Sequence, residues 1–200
     1  MNRLITLEGP EGAGKTTVLA EIDSHLRQAG HTVVCTREPG AAFSGEVRRL
    51  LLLSGHVAPQ AELFLFLADR AQHVAEVIRP ALDRGAFVLC DRFADSTVVY
   101  QGHARGFDLG SLREWNRFAT DGLTPGLTLL LDLPPEVGLS RLRTKDRLDA
   151  ESMEFHQRVR DGFLAEAALD PERWVTIDAS QPADRVATDA VLAVMERYDL

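Results

Sequence analysis

Two hundred residues, 45% of them apolar and 26% charged, make an ordinary globular composition that leaves no case for a disordered, collagenous or coiled-coil chain. A formal net charge of -8 argues against nucleic acid as a partner, so any phosphate site must be a local basic pocket in an acidic body. Cys35 and Cys90 each lie near the end of an apolar run and read as inert core thiols, and no apolar run approaches the roughly 20 residues of a membrane span.

The chain passes from Met1-Asn2-Arg3 straight into Leu4-Ile5-Thr6-Leu7, without the apolar region of a secretory leader, and is expected in the cytoplasm. That short run predicts a first strand, which breaks into a glycine-rich turn; helical spacing then covers Thr16 to Ala29 and stops at Gly30. A second strand is expected over His31–Thr36, closed by Pro39-Gly40. Helices follow at about Ser44–Leu53 and Pro59–Arg84, the latter ending at Gly85.

The continuous apolar run Ala86–Cys90 predicts a strand covered on both faces. Helical segments should fill Arg92 to Gly122 around a glycine-bearing turn, and Leu127–Leu133 gives the fourth strand. Pro134 and Pro135 open a helix that a charged stretch at Arg141–Asp149 interrupts, before another helix at Ala150–Ala168. Trp174–Ile177 is the fifth strand and Pro182–Tyr198 the last helix. This alternation predicts one α/β domain over residues 1–200, a mainly parallel five-stranded sheet with helices on both faces.

Gly9-Pro10-Glu11-Gly12-Ala13-Gly14-Lys15-Thr16 fits G-x-x-x-x-G-K-[ST] between a predicted strand and a predicted helix, the context a P-loop requires. Glycines let backbone N–H groups approach the phosphates of ATP, and Lys15 reaches the β- and γ-phosphates. A hydroxyl holds Mg²⁺, with motif spacing favouring Thr16 over Thr17. Asp91-Arg92-Phe93 ends the third strand, where ligands of parallel sheets collect; Asp91 can orient Mg²⁺ through water and Arg92 can fork to a phosphate. His25, His31, His56, His73, His103 and His156 lack metal-ligand spacing, so no structural metal is expected.

A P-loop alone does not separate switches and motors from small-molecule kinases. The remaining motifs do: Thr36-Arg37-Glu38-Pro39-Gly40, Asp91-Arg92-Phe93 and Ser96-Thr97-Val98-Val99-Tyr100-Gln101-Gly102 resemble the thymidylate kinase family, bacterial type. The likeness continues through Glu62–His73, the basic stretch near Arg147 and Asp178–Pro182. It implies a P-loop kinase sandwich that moves the γ-phosphoryl group of Mg-ATP to dTMP. Another nucleoside monophosphate or deoxynucleoside kinase is the near alternative, and a nucleotide-driven switch ATPase the distant one.

The resemblance also implies roles. Phe66 stacks on the thymine ring and Arg70, four residues on and on the same helix face, hydrogen-bonds its exocyclic oxygen. Arg48 and Arg92 clamp the acceptor phosphate. Glu11 lies near the acceptor sugar, Tyr100 disfavours a ribose hydroxyl, and Ser96, Thr97 and Gln101 line the base pocket. Residues 141–150 form a short lid, from which Arg143 and Arg147 supply transition-state cations from one helical face. A homodimer is implied as well. Ala41-Ala42 departs from the family, which has glycine and threonine there.

Overall fold

The computed structural model describes residues 2–51, 57–142, 144 and 147–200. Five strands, β1 (Leu4–Glu8), β2 (Val33–Arg37), β3 (Phe87–Asp91), β4 (Leu127–Asp132) and β5 (Trp174–Asp178), form one parallel sheet in the order β2-β3-β1-β4-β5. The strands are apolar because both faces are covered. Ile5, Leu7, Phe87, Leu89, Leu127, Leu129 and Leu131 pack on one side with α1 (Lys15–Gln28) and α9 (Ala183–Tyr198). Leu4, Val88, Cys90 and Leu130 face the other side.

That second side carries α2 (Ser44–Leu51), α3 (Pro59–His73), α4 (Arg79–Asp83), α5 (Ala94–Thr97), α6 (Leu109–Ala119) and α8 (Met153–Leu169); α7 (Pro135–Arg141) follows β4. The helix predicted over Pro59–Arg84 is continuous, but Val74–Ile78 is wound as a π-helix between α3 and α4. Pro80 has no N–H to give the Glu76 carbonyl, and the wider winding absorbs that gap. A second π-wound segment, Val98–Ala104, continues α5.

Two expectations need correction. Cys35 is exposed, because β2 is an edge strand, while Cys90 is buried as expected. The helix predicted from Ala150 begins instead at Met153, where Ser152 Oγ accepts from Phe155 N at 3.3 Å as its N-cap.

The strand order reverses between β1 and β3: the chain leaves β1 toward β2 on one side, and leaves β3 for β4 on the other. Parallel sheets open a crevice at such a point, beyond the carboxyl ends of the strands. The turns after β1 and β3 both end there, held in register by the pairing of Leu7 with Asp91.

Candidate active site

The turn after β1 is built by close backbone approach. Gly12 has φ +68°, and a Cβ there would stand 2.0 Å from the Gly138 carbonyl oxygen of α7, so only glycine lets the two segments touch. Gly14 caps α1 without any side-chain bond, leaving the first N–H groups of that helix directed at the turn. Lys15 folds back, its Nζ donating to the carbonyls of Gly9 and Pro10 at 2.9 Å each. Burial, helped by the Arg92 charge and opposed by Asp91, Glu11 and Glu8, pushes its ammonium group down to about 8. Thr16 and Thr17 are exposed beside it.

Across the crevice, Arg92 adopts φ +69°, uncommon for a non-glycine residue and typical of strain held at a working site. Its N–H donates to Leu7 O at 3.0 Å, and the next N–H, of Phe93, donates to Glu8 Oε1 at 2.8 Å. Glu8 Oε2 accepts from Ser96 Oγ at 2.6 Å. Burial and the neighbouring Asp95 push this fully buried carboxyl up to about 7, against the lowering effect of Ser96, Arg92 and Phe93. The twisted backbone turns the Arg92 guanidinium over the Tyr100 ring, 5.1 Å from its centroid, and its Nη2 donates to Glu11 Oε1 at 3.3 Å.

Glu11 is the hinge between the two halves. Tyr100 Oη donates to its Oε1 at 2.5 Å, and His156 Nδ1 lies 3.5 Å from its Oε2. Burial raises this carboxyl, but His156, Arg92, Tyr100 and Lys15 together outweigh burial and hold it down at about 2. Glu11 Oε2 nevertheless has no hydrogen-bond partner among the described residues, and neither has the buried Asp91 Oδ1.

A cavity of about 300 Å³ opens beside this cluster. Every residue expected at the acceptor lines it: Glu11, Arg48, Phe66, Arg70, Arg92, Ser96, Thr97, Tyr100 and Gln101. Arg37, Glu38 and Pro39 line it too. Arg37 stands beside Asp91 in the strand register, and it lines the cavity together with Arg48 and Arg92. Burial and the Arg37 charge lower the Arg48 guanidinium, which donates to Pro39 O at 2.8 Å; three crowded cations favour an anion among them. Phe66 lines the cavity as well.

A family profile described as thymidylate kinase matches residues 7–190. The chain is 55% identical over 197 residues to the thymidylate kinase of Synechococcus sp., covering 98% of this chain and 96% of the relative. It is 52% identical to that of Thermomicrobium roseum, with 98% and 95% covered. The crystal structure of thymidylate kinase from Ehrlichia chaffeensis superposes with a TM-score of 0.82 at 31% identity, over 96% of this chain and 97% of that one.

The chain belongs to the thymidylate kinase family.

Against what that family resemblance implied, Arg70 is already fully engaged. It is 2% exposed. Its Nε and Nη2 hold Glu38 Oε2 at 2.8 and 2.7 Å, its Nη1 donates to Thr97 Oγ1 and Asn116 Oδ1, and its Nη2 also reaches Phe93 O. Four of its five N–H donors are thus hydrogen-bonded before a base arrives, and Nη2 also lies against the Glu38 carboxylate. Arg70 shapes the wall, and reading a base requires one of these bonds to be shared.

The lid also departs from expectation. Arg143 lies outside the described residues, as does Lys145. Residues 147–150 form a turn, so the helical face that was to join Arg143 to Arg147 is absent at Arg147. Arg147 instead pairs with Glu62 of α3 and donates to Leu51 O at 3.1 Å, while Leu148 and Asp149 line the acceptor cavity. Arg141, at the end of α7, donates to Gly12 O at 3.3 Å and Ala179 O at 3.1 Å, tying the P-loop to the turn after β5.

The residues fit the Mg²⁺ expected with the nucleotide. Asp91 Oδ1 is a buried acceptor without a partner at the strand end, and the Thr16 hydroxyl is exposed at the helix start. No cluster of three or more His, Cys, Asp or Glu side chains able to hold a metal occurs among the described residues.

The Ala41-Ala42 departure costs the loop no backbone anchoring. Gly40 N donates to Asp69 Oδ2 at 2.7 Å, Ala41 N to Asp69 Oδ1 at 3.4 Å and Ala42 N to Glu76 Oε2 at 3.2 Å. Sequence reasoning missed roles for Arg37, Glu8 and His156. Arg37 and Glu8 carried a signal, a charged residue at the carboxyl end of an apolar strand; His156 carried none, since it reaches Glu11 only through the packing of α8.

Proposed function

We propose that residues 1–200 act as one P-loop kinase unit that transfers the γ-phosphoryl group of Mg-ATP to dTMP, giving ADP and dTDP. The observation that carries this reading is the cavity itself: three arginines, an aromatic ring and the P-loop residue Glu11 line one pocket. That set of side chains suits a nucleoside monophosphate, with cations for its phosphate and an aromatic face for its base. The family's activity supports the same donor and acceptor.

In this reading, the P-loop backbone from Gly9 through Gly14, with Lys15, Thr16 and Thr17, cradles the ATP phosphates. Thr16 and a water held by Asp91 position Mg²⁺, which neutralises charge on the phosphates when bound. Arg48 and Arg92 grip the acceptor phosphate, whose oxygen is already a nucleophile, so alignment and cations suffice without a strong base. Glu11 lies near the acceptor sugar, Phe66 stacks on the base, and Tyr100 packs under the sugar among Phe155 and Phe163. Ser96 and Thr97 complete the wall, and residues 141–150 act as the lid, with Arg143 and Arg147 as its cations.

A homodimer is part of the proposal. α3 and α6 expose Phe64, Trp115 and Phe118 together, Phe118 at 89%, an apolar face suited to a second copy. No described helix is long and apolar enough to cross a membrane, and the cytoplasm, where ATP and dTMP are found, is the proposed location.

The test is ADP release from Mg-ATP with no acceptor and with dTMP, dUMP, dCMP, dGMP, AMP or thymidine. Release dependent on dTMP is expected. Release without acceptor would support a switch ATPase, and preference for another monophosphate would retain the kinase but overturn the base pocket.

A further inference from the structure

Glu62 stands at the start of α3, 1% exposed, behind the cavity wall. Three partners share its carboxylate, two from the segment 98–105 and one from the turn at Arg147. Gln101 Nε2 donates to Oε1 at 3.1 Å, Arg105 Nε lies 3.2 Å from the same oxygen, and Arg147 Nη2 pairs with Oε2. A carboxylate between two guanidinium groups offers acceptors only. It therefore turns the Gln101 amide so that its NH₂ faces Glu62 and its carbonyl faces away. Gln101 is itself 2% exposed and lines the cavity. With its NH₂ committed to Glu62, the carbonyl oxygen is the end of the amide left to face the cavity.

We propose that Glu62, without touching the acceptor, sets its base selectivity: by fixing the Gln101 amide it presents a hydrogen-bond acceptor to the edge of the bound pyrimidine. The inference rests on reading the cavity as a pyrimidine monophosphate site. Thymine and uracil carry a hydrogen on N3 and satisfy that oxygen. Cytosine carries a lone pair on N3, so two acceptors meet in a desolvated place and neither is satisfied. Glu62 is thus a positioning residue, and selectivity comes from what it forbids Gln101 to do.

The experiment compares the full chain with Glu62→Gln, which keeps the shape but can pair with the Gln101 amide in either orientation. kcat/KM is measured for dTMP, dUMP and dCMP. The dTMP-over-dCMP ratio should fall by about 10-fold or more, while the dTMP-over-dUMP ratio, which depends on the 5-methyl group, holds. An unchanged dTMP-over-dCMP ratio overturns the proposal even if overall turnover drops, because a merely structural role lowers all three together. Should the variant not fold, the unmodified chain still decides: the side-chain amide protons of Gln101 should exchange slowly with solvent, and exchange as fast as that of exposed glutamines overturns it. A chain that turns over neither dTMP nor dUMP overturns the acceptor reading first, and this inference with it.

Discussion

Arg70 and Glu38 show how a single residue can belong to recognition and to folding at once. Their ion pair is buried on both sides, and His73 Nδ1 adds a contact to Glu38 Oε1 at 3.2 Å. Arg70→Ala leaves the Glu38 charge buried without its main partner, so a loss of about 3–5 kcal/mol in urea unfolding is expected alongside a raised KM for dTMP. The KM for ATP should change less. Glu8 gives a second prediction with a defined sign. Its carboxyl is raised from 4.5 to about 7 in the folded chain, chiefly by burial. Its contribution to stability is therefore complete below pH 4.5 and lost as pH rises through 7. Glu8→Gln should flatten the pH dependence of unfolding across that window, by an amount on the order of 3 kcal/mol, as read by urea titrations at pH 5 and pH 8.

Among the elements, what could be read in advance depended on whether a residue's role is local. The P-loop was legible because glycines, lysine and hydroxyls act within one turn, and the strands were legible because burial on both faces leaves unbroken apolar runs. The start of α8 was misread by three residues because the Ser152 cap is one hydroxyl in a polar stretch. The π-winding at Val74–Ile78 was invisible because Pro80 breaks a bond without breaking the periodicity. The winding at Arg147 was misjudged because helical spacing was assumed where the side chain is drawn aside to Glu62, a partner 85 residues away in the chain. At this scale Gly12→Ala should separate the two substrates. Its methyl group would collide with the Gly138 carbonyl, so ATP affinity should fall by more than about 10-fold, while dTMP binding by calorimetry is retained.

For the whole molecule, the strand order decides where chemistry occurs: the turns after β1 and β3 meet only because these strands are neighbours. That the nine residues proposed for the acceptor would share one cavity was therefore legible, yet the commitment of Arg70 to its own wall was not, because its partners Glu38, Thr97 and Asn116 come from three distant segments. The outer surface gives the last prediction. Phe118→Glu places a charge in the exposed α3–α6 face and should convert a dimer into a monomer in sedimentation velocity, leaving the melting temperature of the monomer close to that of the parent.

The folded-back Lys15 has a bearing on how the nucleotide is met. Its ammonium group occupies the mouth of its own loop and draws the Gly9 and Pro10 carbonyls together. The chain has already surrendered the freedom of that segment during folding, so ATP arrives at a rigid mould and needs only to exchange one set of oxygens for another around a single cation.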